Sequence, residues 1–310
     1  SNLTALTHPS LQNTMSTEIN TLEIPHLGGS TIGYRFGQPY NPALPTLVLT
    51  NSWSTSAQLY RPQFEDEGLN RVANVLAIEP YGHGRTRATY ADFTYWDSAI
   101  ANLQVLEKLQ IDRAFAQGTS QGGWVVVRMA LLAPDRIAGI IPVGTSMDYE
   151  SQASRDLGCW NGLEFCSPAI EALAAPVGDD WKIPEEMVDA TLVEGFGDTV
   201  TDDDRAFWRK EHQQNYSGDA GRQRLRTIAI NLRDRDGLHG RLDQVRCPVL
   251  WMQGTADRVY SVANAEKEIK LFKNSADAQL KIVADGQHFL SASHPQELNQ
   301  AIIQFIQKWQ

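Results

Sequence analysis

Short apolar runs rich in β-branched residues alternate with segments of helical periodicity, and this alternation restricts the chain to few folds. Candidate strands occupy residues 19–24, 31–36, 46–50, 72–78, 113–117, 137–143, 249–253 and 280–283. Candidate helices occupy residues 96–109, 122–132, 263–272 and 295–309. The later runs are continuously apolar, as strands buried on both faces require. Strands alternating with helices predict an α/β fold, a largely parallel sheet with helices on both faces.

The alternation stops at Asp148 and resumes at Pro248. A structureless loop of roughly 100 residues does not fit inside a compact domain. The strand signal in this interval is poor, whereas residues 184–193 and 204–214 have fair helical patterns. We therefore predict a helical cap, residues 148–245, inserted into a core formed by residues 1–147 and 246–310.

The composition excludes several classes of protein. The net charge of −10 argues against binding of nucleic acid through a basic surface. No apolar run reaches the length of about 18 residues that a membrane span needs. The first residues lack a basic start followed by an apolar stretch, so no signal peptide is expected and a cytoplasmic location is predicted.

The sequence predicts neither a metal site nor a cofactor site. The spacings HxH, HExxH and CxxC are absent, as are a phosphate-binding loop and a dinucleotide fingerprint. Cys159, Cys166 and Cys247 are too few for a disulfide framework. Free thiols are the favoured interpretation, and pairing of Cys159 with Cys166 in an oxidising compartment stays open.

The motif with the most chemical content is Gly-Thr-Ser-Gln-Gly-Gly, residues 118–123. It follows a candidate strand and precedes a candidate helix, which is the context of a nucleophile elbow. Glycine two residues before and after Ser120 lets the backbone make a tight turn, and the helix N-terminus favours developing negative charge. The motif predicts that Ser120 is a nucleophile, against the alternative of an ordinary glycine-rich turn.

A serine nucleophile needs a base, and His288 is the best of the seven histidines. His288 lies between the strand ending at Val283 and the last helix. His83 competes from the turn after an earlier strand, and His294 fits a helix cap better. A base of this kind has a pKa near the working pH.

The imidazole in turn needs a carboxylate that fixes its tautomer. Asp257 follows the strand 249–253 and gives the chain order serine, aspartate, histidine. Asp148 and Glu79 are alternatives, because each also follows a candidate strand. We predict Asp257 as the acid.

A tetrahedral intermediate needs two backbone N–H donors. Gln121, next to the nucleophile, is predicted to supply one, and Trp53, in the loop after strand 46–50, the other.

Together these residues resemble the α/β-hydrolase superfamily over nearly the whole chain. The segment Glu-Pro-Tyr-Gly-His-Gly-Arg-Thr, residues 79–86, is similar to the family's turn after the fourth strand, and Gly286-Gln-His288 before an apolar helix is similar to its C-terminal signature. The resemblance implies an eight-stranded, mostly parallel sheet and a helical cap. Many members carry His-Gly where Asn51 and Ser52 stand, and this pair resembles 3-oxoadipate enol-lactonase.

Aromatic residues near the nucleophile and in the cap predict an apolar substrate. The predicted substrate contacts are Trp53, Trp124, Tyr149, Trp160 and Trp208, although packing of the cap explains such residues as well. The leading hypothesis is a cofactor-independent serine hydrolase acting on an ester or lactone of a small-to-medium hydrophobic molecule. The alternatives are hydrolysis of a carbon–carbon bond in a β-diketone-type substrate and a ligand receptor on a hydrolase scaffold. The sequence leaves the oligomeric state open, with a homodimer as one option.

Overall fold

The computed structural model describes residues 19–310. The strands of this part of the chain are β1 (Asn20–Ile24), β2 (Ser30–Phe36), β3 (Thr46–Thr50), β4 (Asn74–Ile78), β5 (Arg87–Ala88), β6 (Ala114–Thr119), β7 (Ile137–Val143), β8 (Val249–Gly254) and β9 (Ala278–Val283). Its α-helices are α1 (Arg61–Phe64), α2 (Glu67–Val72), α3 (Tyr95–Lys108), α4 (Gln121–Leu132), α5 (Gln152–Asp156), α6 (Gly162–Ala172), α7 (Glu185–Phe196), α8 (Asp202–Asn215), α9 (Gly218–Asp234), α10 (Val262–Glu268), α11 (Leu290–Ser293) and α12 (Pro295–Trp309).

One sheet has the strand order β1-β2-β4-β3-β6-β7-β8-β9, and β5 pairs with β2. β2 is antiparallel to its partners β1, β4 and β5. From β4 to β9 every neighbouring pair is parallel. The predicted α/β class with a mostly parallel sheet is therefore confirmed. The two-residue β5 makes nine strands in the described part rather than the expected eight, because so short a strand leaves no periodic signal.

The centre of the sheet is buried on both faces, and its last strand is not. All residues of β3, β4, β6 and β7 are buried, which gives the parallel core its apolar runs. In β9, Gln279, Lys281 and Ile282 are exposed. The expectation that residues 280–283 form a doubly buried strand was wrong, because among the described strands β9 lies at the edge of the sheet and has one neighbour.

Five helices, α5 to α9, lie between β7 and β8. We call residues 148–245 the inserted segment. Its helix α9 buries an apolar stripe, Leu225, Ile228, Ala229 and Leu232, at the helical spacing of three and four residues. Within residues 19–310, none of the helices has the length and apolar character needed to cross a membrane.

A buried ion pair joins the two ends of the inserted segment. Arg235 Nη1 donates to Glu150 Oε1 at 2.9 Å, and the two side chains are 1% and 3% exposed. Arg235 Nε also donates to the carbonyl oxygen of Asp148, and the guanidinium lies 3.8 Å from the ring centre of Trp124. Because both charges are out of water, each depends on the other for compensation.

A second buried carboxylate, Glu268 of α10, contacts the chain at both boundaries of the segment. It accepts hydrogen bonds from the backbone N–H of Met147 at 3.0 Å and from Asn264 Nδ2 at 2.6 Å. His239 Nε2 lies 2.5 Å from its other oxygen. The carboxylate of the core thus contacts the chain just before and near the end of the inserted segment.

Replacement of Arg235 by Met leaves the Glu150 carboxylate buried without its counter-charge. We expect the free energy of unfolding to fall by about 3–5 kcal/mol. Arg258→Met is the control, since it removes an ion pair with Asp198 whose side chains are 43% and 91% exposed. Its cost should stay within about 1 kcal/mol. Denaturant unfolding of both variants measures the difference, and equal losses would contradict the structural role of the buried pair.

The stability given by His239 should depend on pH. The hydrogen bond to Glu268 raises the pKa of His239 above its ordinary value. The folded protein therefore holds the proton more tightly, so this contribution is full below the ordinary pKa of about 6.5 and is lost as the pH rises through the raised pKa. The melting-temperature difference between wild type and His239→Gln should be largest near about pH 5.5 and shrink by about pH 8.5. His294→Gln, whose imidazole contacts the Ser293 hydroxyl, is the control. A difference that grows with pH would refute this assignment.

Candidate active site

Ser120 occupies a strained turn between β6 and α4. Its φ is 57° and its ψ is −116°, a conformation that non-glycine residues rarely adopt. The turn is held by hydrogen bonds from Ser120 N to Val143 O at 2.8 Å and from Gly123 N to Ser120 O at 2.9 Å. Ser120 thus lies immediately before the first turn of α4, at the positive end of the helix dipole.

The glycines that flank Ser120 are required by close backbone contacts. A β-carbon on Gly118 would overlap the carbonyl group of Gly122. A β-carbon on Gly122 would overlap the carbonyl group of Thr50, at the end of β3. The spacing of the motif is therefore a steric requirement of the turn.

His288 and Asp257 meet beyond the ends of β9 and β8. His288 Nδ1 lies 2.9 Å from Asp257 Oδ2. Asp257 Oδ1 accepts the backbone N–H of Val259 at 2.7 Å and of Tyr260 at 3.0 Å, and Gln253 Nε2 donates to Oδ2 at 3.1 Å. The carboxylate is fixed in position and, when ionised, places the imidazole proton on Nδ1. His288 Nε2, which has no hydrogen-bond partner within residues 19–310, is then left as an acceptor.

Ser120 and His288 line the same cavity, together with Trp53 and Trp160. The space for water in this cavity is about 30 Å³. A water molecule needs about 10–15 Å³ of such space, so the cavity has room for two or three waters and for no substrate-sized molecule. The site has little free volume in this structure.

Two of the predicted substrate contacts line the cavity, and three do not. Trp53 and Trp160 are in its wall. Trp124 is 1% exposed and packs under Arg235, because α4 is buried on almost every side. Tyr149 is 55% exposed at the surface, and Trp208 lines a separate groove of about 490 Å³. Neither closeness to Ser120 in sequence nor a place in the inserted segment determined which aromatic side chains line the cavity.

His83, the competing base, is bonded elsewhere. Its Nδ1 lies 3.0 Å from Tyr81 O, and its Nε2 lies 2.9 Å from Gln121 Nε2. Burial lowers the pKa of His83 to about 4, so the ring is neutral at ordinary pH and both of its nitrogens are hydrogen-bonded. His83 is not in the cavity wall, and its contact orients the Gln121 side chain.

The competing carboxylates also have other partners. Asp148 Oδ2 accepts the hydroxyl of Ser151 at 2.6 Å at the start of the inserted segment. Glu79 is buried and accepts the backbone N–H of Ala57 at 3.0 Å and of Arg85 at 2.9 Å. Burial raises the pKa of Glu79 to about 7. Of the three candidates, Asp257 is the one hydrogen-bonded to His288.

The loop after β3, residues 51–56, is bonded to the inserted segment through three side chains. Trp53 Nε1 donates to Ile228 O at 2.9 Å, Ser54 Oγ lies 2.9 Å from His212 Nε2, and Ser56 Oγ donates to Glu211 Oε1 at 2.9 Å. Burial lowers the pKa of His212 to about 4, so its neutral ring accepts the Ser54 proton. The backbone N–H groups of Trp53 and Gln121 have no partner in the described part of the chain.

Sequence reasoning missed Glu194, which also lines the cavity. Burial raises the pKa of Glu194, and the neighbouring His288 and Arg258 act in the opposite direction. An acidic side chain in the last turn of α7 opposes the helix dipole. An acidic residue at this unfavourable position is a sequence signal for a role other than helix stability.

No cluster of three metal-ligating side chains occurs within residues 19–310. Cys159, Cys166 and Cys247 are free thiols.

Relatives of known name share parts of this sequence. A protein of Mycobacterium phage D29, provisionally named a non-heme haloperoxidase, is 29% identical over 156 residues, which are 48% of this chain and 54% of that protein. The match thus spans about half the length of that relative. The 2-hydroxy-6-oxononadienedioate/2-hydroxy-6-oxononatrienedioate hydrolase 1 of Pseudomonas putida is 22% identical over 251 residues, 74% of this chain and 80% of that protein.

Solved structures share the fold at low identity. The enol-lactonase from Burkholderia xenovorans LB400 superposes with a TM-score of 0.73 at 21% identity, covering 92% of this chain and all of that one (100%). A thermophilic esterase from Thermogutta terrifontis superposes with a TM-score of 0.75 at 17% identity, covering 93% of this chain and 98% of that one. The sequence model of the alpha/beta hydrolase fold matches residues 45–295, and this chain belongs to that family.

Proposed function

We propose that the protein is a cofactor-independent serine hydrolase that cleaves an ester or lactone of a small-to-medium, uncharged, apolar molecule. The observation that carries this proposal is the shared cavity of Ser120 and His288, with Asp257 bonded to His288 Nδ1. A nucleophile, a base and an orienting carboxylate are the three groups that acyl transfer through serine requires.

In the proposed reaction, Ser120 Oγ attacks the carbonyl carbon while His288 Nε2 takes the hydroxyl proton. Asp257 stabilises the imidazolium that results. The backbone N–H groups of Trp53 and Gln121, together with the N-terminus of α4, stabilise the negative oxygen of the tetrahedral intermediate. His288 then gives the proton to the leaving alcohol oxygen, and the acyl group stays on Ser120.

Water completes the reaction. His288 removes a proton from a water molecule, whose oxygen attacks the acyl carbon, and the proton returns to Ser120 Oγ as the carboxylic acid leaves. In a lactone the alcohol and the acid belong to the same molecule, so a single hydroxy acid is released. Each step uses the same two N–H donors, since both intermediates carry a negative oxygen.

The inserted segment is proposed to act as a cap, residues 148–245, over a core of residues 1–147 and 246–310. Trp160, Phe165 and Glu194 of the segment line the same cavity as Ser120. Because the cavity has about 30 Å³ of space for water, the segment is proposed to move when substrate binds.

The charge of the cavity favours an uncharged substrate. Its wall contains the acidic Glu194 and, within the described residues, no lysine or arginine. The Pseudomonas putida relative is named for a dioate, a substrate with two carboxylates. A buried carboxylate without a cationic partner is costly. This observation favours an ester or lactone over a carbon–carbon bond in such a dioate, and the intact trio of groups favours an enzyme over a ligand receptor.

Ser120→Ala should abolish turnover of a chromogenic short-chain ester without unfolding the protein. Loss of a triad nucleophile lowers kcat by about 10³-fold or more. Ser52→Ala is the matched control, because Ser52 is also a buried serine in the wall of the cavity. A fluorophosphonate probe should label wild type and Ser52→Ala at Ser120. Turnover near the wild-type rate in Ser120→Ala would exclude this mechanism.

Glu194→Gln should change the discrimination between charged and uncharged esters. Wild type is expected to prefer 4-nitrophenyl butyrate to the 4-nitrophenyl monoester of succinic acid, because the second brings a carboxylate beside Glu194. Removing the acidic group should raise kcat/KM for the charged ester about tenfold relative to the neutral one. Glu186→Gln, an exposed glutamate of the same helix, should leave the ratio unchanged. Equal use of both esters by wild type would support a dioate substrate instead.

A further inference from the structure

A second cavity, of about 170 Å³, lies between the core and α9. It shares no wall residue with the cavity of Ser120. The side chains that give it its chemistry are Tyr81, Arg87, Tyr90 and Phe93 of the core and Arg224 of α9. The cavity therefore joins two parts of the molecule that β6 and β7 separate in sequence.

Two arginines line this cavity, and neither has a carboxylate of the described residues within ion-pair distance. Arg87 Nη1 donates to the carbonyl oxygens of Gly84 at 2.9 Å and Thr86 at 2.8 Å, and Arg224 Nη2 donates to Asn215 O at 2.8 Å. Neither arginine forms a salt bridge with any residue in the described range 19–310. Arg224 Nε is buried and has no hydrogen-bond partner there. The carbonyls hold the guanidinium groups in place and leave N–H donors unused.

The two positive charges are close enough to affect each other. Burial, followed by the charge of Arg87, lowers the pKa of Arg224 to about 10. Burial also lowers the pKa of Arg87, while Tyr216 and the buried Glu79 act in the opposite direction. A pair of partly buried like charges is unfavourable unless an anion compensates it. In a chain of net charge −10, this is a local positive site.

The rest of the wall is aromatic. The rings of Tyr81 and Phe93 are 5.7 Å apart and tilted by 33°. Tyr90, 60% exposed, stands at the rim. Guanidinium groups bind carboxylates through paired N–H donors, and aromatic rings favour an apolar or aromatic body. Cavities for drug-sized ligands measure about 300–1,000 Å³. The volume of this cavity lies below that range, which indicates a smaller ligand.

We propose that this cavity binds a small aromatic carboxylate. Arg87 and Arg224 hold the carboxylate group, Tyr90 and Phe93 contact the ring, and the buried Tyr81 supports Phe93 from behind. Because Arg224 belongs to α9 and the other four residues to the core, the bound anion ties the inserted segment to the core. This site is independent of the chemistry proposed at Ser120.

Calorimetric titration of the full chain with benzoate tests the proposal. Saturable binding of benzoate is expected. Benzyl alcohol should fail to bind because it lacks the charge. Inorganic phosphate should bind more weakly than benzoate because it lacks the ring. Arg224→Met should weaken benzoate binding at least about tenfold, the loss of one charge-assisted contact. Arg226→Met is the matched control, since Arg226 lies on the same helix, bonds the carbonyl oxygen of Ile170 and is outside the cavity wall.

Tyr90→Ala provides a second variant that does not depend on the stability of Arg224→Met. The exposed side chain can be removed with little effect on folding, and benzoate binding should still weaken. The proposal is overturned if wild type shows no saturable benzoate binding, if benzyl alcohol binds as well as benzoate, or if Tyr90→Ala binds benzoate as tightly as Arg226→Met. Stronger binding of phosphate than of benzoate would indicate a site for an inorganic anion, and this result would also overturn the proposal.

Discussion

The contact between the first turn of α4 and the end of β3 sets the geometry on which the candidate site depends. Gly122 lies against the carbonyl of Thr50, and Thr50 is the register partner of Gly118 in the parallel pair β3–β6. No side chain fits between these backbones, so the chain must turn sharply at Ser120 and adopt a positive φ there. The same contact brings the loop after β3 beside the start of α4, and the backbone N–H groups of Trp53 and Gln121 come from these two segments.

Features that depend on local steric constraints, or on burial of a strand on both faces of the sheet, could be predicted from the sequence. β3 and β7 have the predicted bounds, since an apolar run flanked by polar residues leaves little choice of register. The elbow at Ser120 was predicted because its glycines are needed by the turn itself. His288 and Asp257 were predicted from their positions after candidate strands and from the chain order serine, aspartate, histidine. In the structure His288 Nδ1 lies 2.9 Å from Asp257 Oδ2.

Other features depend on contacts that a pattern cannot report. Helix α6 contains Pro168, and α9 begins with a glycine, so both have weak helical signals and form because their apolar faces pack together. The packing of whole helices decides which way the side chains of Trp124 and Trp208 point. Sequence spacing does not determine that packing. Glu194 lies in the last turn of α7 and lines the cavity, a placement that depends on how α7 packs.

The three hydrogen bonds between residues 51–56 and the inserted segment make the loop and the segment one unit for protein engineering. Trp53, Ser54 and Ser56 are buried, and their partners are a main-chain carbonyl, an imidazole and a carboxylate on α8 and α9. A chimera that takes residues 148–245 from a relative removes the imidazole and the carboxylate unless the graft restores them at the same places. Buried hydroxyl groups would then be left without acceptors, at about 1–3 kcal/mol each. A graft that replaces the inserted segment in this protein therefore has to carry residues 51–56 with it.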